Sequence, residues 1–91
     1  MAMAAMLMTI DEKRMAVALR EAREKLDVAE GEVVLDFSSV RRLDASALRA
    51  LEELAQIAQE KGVKVVLRGV NVDVYKVLKL VKLTAQFFFV G

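Results

Sequence analysis

Two short apolar runs limit what this chain can fold into more than any other feature. They are Val33-Val34-Leu35-Asp36-Phe37 and Val63-Lys64-Val65-Val66-Leu67. Each has strand length and β-branched residues. The first lacks the polar alternation of a strand with one wet face, so it reads as a strand covered on both faces. Between the runs, Ala47, Leu51, Leu54 and Ala58 recur at helical spacing, helped by Leu48 and Ala55. Strand, helix and strand in that order make a βαβ unit, with parallel pairing and a right-handed crossover. The helix has both punctuation marks. Asp44 is placed to cap it, the predicted span is Ala45 to about Lys61, and Gly62 stops it with Lys61 suited to the dipole.

The same alternation extends in both directions. The apolar start MAMAAMLMTI predicts a short strand near Met6–Ile10, with residues 1–8 flexible or a short edge strand. It has no basic n-region, and charge arrives at Asp11, so it fails as a signal peptide. It has about half the length needed to span a bilayer, so no membrane insertion is expected. Thr9 and Glu12 have capping-box spacing and predict the start of a helix. Met15, Ala18, Leu19, Ala22 and Leu26 then share one face. Arg20, Glu21, Arg23, Glu24 and Lys25 lie mostly opposite, with Glu21–Lys25 a favourable pair, and Ala29-Glu30-Gly31 ends the element. After the second strand, Asn71 caps a third helix, with Asp73 in its first turn. Val74, Val77, Leu78 and Val81 point inward, and Lys76, Lys79 and Lys82 outward. Phe87-Phe88-Phe89-Val90 reads as a last strand. The order β-α-β-α-β-α-β predicts an α/β fold with a largely parallel or mixed sheet packed by helices. One small domain covers residues 1–91, because 10.1 kDa supports one thin core.

Composition narrows the chemistry. The chain has no His and no Cys, which excludes imidazole and thiolate chemistry together with the metal sites built on them. Lack of Cys is compatible with a cytoplasmic location. Net charge is +1, from 14 basic and 13 acidic residues, without the basic stripe of a nucleic-acid binder. Gly31, Gly62, Gly69 and Gly91 are spread out and form no phosphate loop, so no cofactor is expected. No catalytic or metal-binding residue stands out.

The most suggestive stretch is the junction Val40-Arg41-Arg42-Leu43-Asp44-Ala45-Ser46-Ala47. Ser46 falls in the first turn of the second helix, where free amides and the dipole favour an anion. A phosphoryl group there would add nearly two negative charges beside Asp44. Capping alone also explains Asp44 and Ser46. Arg41 and Arg42 could clamp a phosphate or simply be solvated. Asp36 ends an apolar strand, where sites gather in α/β sheets. It could pair with Asp44 for hydrolysis, but no companion group accompanies the two.

Val33-Val34-Leu35-Asp36-Phe37-Ser38-Ser39-Val40, followed by Leu43-Asp44-Ala45-Ser46-Ala47-Leu48, resembles the STAS domain, the family of anti-sigma-factor antagonists and sulfate-transporter tails. The resemblance covers residues 31–90 well and 7–30 loosely. It implies a non-enzymatic module working by partner switching. Ser46 matches the serine that a kinase doubling as anti-sigma factor phosphorylates, and Asp36 and Asp44 match two recurrent aspartates. Ala45 stands where the family often has Ser or Thr, and Ala47 where it commonly has Gly. The implied partner surface comprises Asp36, Arg41, Arg42, Asp44, Ala45, Ala47 and Arg49. The alternative is the small STAS subunit of bacterial phospholipid-transport ABC systems, whose partner is the ATPase subunit. Gly69-Val70-Asn71 and Val74-Tyr75 are similar to it. The family's usual first strand is missing or reduced, which leaves an edge that a second copy could cover as a homodimer.

Overall fold

A computed structural model describes residues 6–28 and 31–91. Its elements are β1 (Met6–Thr9), a 3-10 turn (Glu12–Arg14), α1 (Met15–Leu26), β2 (Glu32–Asp36), α2 (Ala45–Lys61), β3 (Lys64–Arg68), α3 (Val72–Leu80) and β4 (Phe88–Val90). The four strands form one sheet in the order β1-β2-β3-β4, and every neighbouring pair is parallel. The expected α/β alternation is therefore present, with the sheet parallel throughout. The expected start at Met1–Ala5 and the Ala29-Glu30 turn lie outside the described residues.

Consecutive parallel strands joined by right-handed crossovers place every helix on the same side of the sheet. The core agrees. Val33, Leu35, Val65 and Leu67 from alternate strand positions cluster with Leu19, Ala22 and Leu26 of α1. Leu51 and Leu54 of α2 and Val74 and Leu78 of α3 join the same cluster. Val34 and Val66 point the other way. The reading of β2 as covered on both faces is thus corrected: its burial alternates, because the three helices share one face.

Caps explain the boundaries. Asp44 accepts a hydrogen bond from the Ala47 amide at 2.8 Å and starts α2 where expected. Gly62 ends it in a left-handed conformation, φ 69°. Asn71 accepts from the Val74 amide at 2.7 Å and starts α3. The start of α1 differs from expectation. Thr9 belongs to β1 and is needed in the ladder opposite Asp36. Asp11 caps the 3-10 turn by accepting from the Lys13 amide at 3.0 Å, and α1 begins only at Met15. The expected Glu21–Lys25 ion pair is not formed. Lys61 pairs instead with Asp27 at 3.2 Å, joining the C-terminal ends of α1 and α2.

The end of α3 also departs from its expected stripe. Lys82 takes a left-handed φ of 63°, and the Leu83 amide donates back to the Leu78 carbonyl at 2.9 Å. This turn swings Leu83 into the core at 5% exposure and leaves Val81 at 40%. Among the described residues, no helix is long and apolar enough to cross a membrane.

Candidate partner-binding site

All four parallel strands deliver their C-terminal ends to one rim, where α/β proteins usually build their sites. The β2–α2 loop dominates it. Phe37 and Val40 are buried and anchor the loop, leaving Ser38, Ser39, Arg41 and Arg42 exposed. Three outside groups then fix its path. Glu12 Oε1, in the turn after β1, accepts from the backbone amides of both Arg41 and Arg42, the latter at 3.0 Å. Asn71, the cap of α3, donates from Nδ2 to the carbonyls of Val40 and Arg41 at 3.1 and 3.2 Å. Ser39 Oγ donates to the Ile10 carbonyl at 3.0 Å. Arg41 is therefore held on both sides of its peptide backbone, and among the described residues its guanidinium forms no ion pair.

The electrostatics follow from these bonds. The two amides, assisted by the Arg41 and Arg42 charges, hold the Glu12 carboxyl below its ordinary pKa despite partial desolvation. The Ser38 hydroxyl and then the Ser38 amide lower Asp36, with a smaller contribution from Arg68. Gly69 closes the rim beside Ser38. Its φ is +70°, and a Cβ added to it would stand 3.0 Å from the Ser38 Cβ. Only glycine fits both the conformation and the approach.

The structure gathers most of the expected residues and separates two. Arg41, Arg42, Asp44, Ala45, Ser46 and Arg49 are exposed along the junction and the first turns of α2. Asp36 lies on the helix-free side of the sheet, in register with Arg68. Asp44 caps a helix in the other layer. Each carboxylate closes its own turn, so they do not form a hydrolytic pair. Ala47 is turned into the core at 4% exposure. It contributes to the floor of a groove of about 200 Å³ walled by Glu12, Met15, Arg42, Leu43 and Asp44. Among the described residues, no three acidic side chains converge to hold a metal.

Three contributors were not expected from the sequence. Glu12, at capping-box spacing from Thr9, instead grips a loop almost thirty residues away. Arg20 and Arg23, opposite the apolar stripe of α1 in the sequence pattern, share a second groove of about 200 Å³ with Ser46, Ala50 and Glu53. Their spacing of three was a legible signal that they project together. What lies opposite them depends on how α1 packs on α2.

Comparison with known proteins places this geometry. The STAS domain model matches residues 6–90, nearly the whole chain. The chain belongs to the STAS family. It is 38% identical over 68 residues to the intermembrane phospholipid transport system binding protein MlaB of Escherichia coli (strain K12). That match covers 75% of this chain and 68% of the relative, and the Shigella flexneri MlaB matches to the same extent. Among solved structures, a putative anti-sigma factor antagonist from Thermotoga maritima superposes with a TM-score of 0.76 at 16% identity. It covers 93% of this STAS chain and 77% of its own. A chain of the stressosome, described as a signal integration and transduction hub, gives 0.70 at 24%, covering 91% and 77%. These structural likenesses establish the fold.

Proposed function

We propose that this STAS domain is a non-catalytic docking subunit whose partner is the ATPase of a lipid-transport ABC system. Its docking surface is the junction Arg41–Arg49. The observation that carries the choice is the 38% identity with an intermembrane phospholipid transport system binding protein. The regulatory-protein structures share only 16–24%.

The geometry suits constitutive docking. Binding costs the ordering of loops and side chains, and here Glu12 and Asn71 have already ordered the β2–α2 loop. Arg41, Arg42 and Arg49 present cations without any described ion-pair partner, which fits an acidic patch on the partner. Ala45, exposed beside them, permits close approach.

A second reading, partner switching through phosphorylation of Ser46, is supported by one specific observation. Ser46 is exposed and shares its groove with Arg20 and Arg23, two cations set against the repulsion expected from Asp44 and from Glu53 of the same groove. Under this reading the partner is a serine kinase that doubles as an anti-sigma factor.

Co-expression separates the two. A tagged chain should retain the ATPase subunit of the same cell's lipid-transport system through gel filtration, and Arg42→Glu with Arg49→Glu should release it. Retention of a serine kinase by wild type, lost with Ser46→Asp, would select the switching reading instead. Failure to hold either subunit rejects both.

A further inference from the structure

The helix-free face of the sheet carries a pattern that docking at the junction leaves unused. The three registers align Leu7, Val34, Val66 and Phe88 in one apolar row across all four strands. Leu7 is 59% exposed and Phe88 55%, while Val34 between them is half-buried and Val66 only 5% exposed, so the outer strands carry most of the apolar contact. A charged row flanks it on each side. Glu32 stands beside Lys64 toward the strand N-termini, and Asp36 beside Arg68 toward the C-termini, where Val90 completes the row. Lys64 Nζ lies 3.9 Å from Glu32 and 4.3 Å from the Phe88 ring centroid, so these side chains are drawn together over the sheet.

The order of charges selects the occupant. We propose that this face binds the same face of a second copy, in a reversible dimer whose two-fold axis runs along the strands. That axis lays β1 of one copy on β4 of the other, and β2 on β3. Leu7 then meets Phe88, Val34 meets Val66, Glu32 meets Lys64 and Asp36 meets Arg68, each contact occurring twice. The other face-to-face two-fold runs along the apolar row. It sets Glu32 on Asp36 and Lys64 on Arg68, like charge on like.

Size sets the strength. The ten strand positions on this face, at ordinary strand and residue spacing, give a footprint of roughly 300 Å² per copy. A standard stable interface buries roughly 800 Å² per partner, so the dimer is weak, with a Kd of roughly tens to hundreds of micromolar. The junction Arg41–Arg49 lies at the strand C-termini in the helix layer and stays free, so this dimer and the docking reading stand or fall separately.

Sedimentation velocity on the full chain, from about 10 µM to about 1 mM, tests the proposal. A monomer–dimer equilibrium is expected, weakened about tenfold or more by Leu7→Lys and by Phe88→Glu. Glu32→Lys should also weaken it, and Glu32→Lys with Lys64→Glu should restore it, because the swap preserves every opposed pair. Circular dichroism checks that each variant folds, and Val90→Lys replaces any that does not. A monomer throughout overturns the proposal, as does a dimer indifferent to both apolar variants. Failure of the double swap to restore association overturns the axis.

Discussion

Glu12 shows how much of the rim depends on one carboxylate. It receives the amides of Arg41 and Arg42 and so joins the turn after β1 to the loop after β2. Because those bonds hold its pKa down in the folded state, the unfolded chain binds more protons across the acid range, and stability rises with pH there. Its contribution is complete above the ordinary carboxylate range and is lost as pH falls through the lowered native value. Glu12→Gln should therefore flatten the acid limb of a urea-midpoint profile between about pH 3 and pH 7. Asp36, lowered in the same direction, leaves the residual slope. An acid limb unchanged in the variant would contradict this role. Gly69 is the second residue whose identity is dictated locally. Gly69→Ala must accept a positive φ and displace Ser38, so a loss of about 1–3 kcal/mol is expected in chemical denaturation. Neither effect is legible in the sequence, because both depend on contacts between distant segments.

Helix termini were the most legible feature at the scale of elements. Asp44, Gly62 and Asn71 act where their types and spacing predicted, because capping is decided within a few residues. The start of α1 departs from its local pattern for a tertiary reason. Thr9 can cap a helix or extend a strand, and the ladder to β2 decides between them. The two N-caps differ in what they hold beyond their own helix. Asp44→Ala should cost about 1 kcal/mol. Asn71→Ala also removes both bonds to the Val40 and Arg41 carbonyls, so it should cost about 2–3 kcal/mol and speed amide exchange in the β2–α2 loop. Equal losses for the two would mean that Asn71 does not restrain the loop. At the end of α3, Lys82 occupies a conformation glycine adopts more easily. Lys82→Gly should therefore raise the thermal midpoint, with a gain of about 0.5–1 kcal/mol. A lower midpoint would show that the lysine stem contributes packing that outweighs its backbone cost.

At the scale of the whole molecule, the order of elements and the parallel sheet followed from apolar periodicity, and the division of the sheet into two unlike faces did not. The apolar run of β2 looked like a strand buried on both sides because Val34 is as apolar as Val33 and Leu35. Val34 in fact serves the row on the helix-free face. The site was legible as a stretch, Arg41 to Arg49, because it sits between a strand end and a helix cap. Its separation from Asp36 and its neighbours Glu12, Arg20 and Arg23 were not, since they come from packing. The docking proposed for this pinned, cationic junction has an ATPase subunit as its partner. Isothermal titration of the purified chain into that subunit tests it most directly. Saturable binding is expected, about tenfold or more weaker for Arg42→Glu and for Arg49→Glu, with Arg49→Glu, whose charge plays no part in holding Glu12, leaving stability unchanged. Binding that both reversals leave intact, or no binding at all, would contradict it.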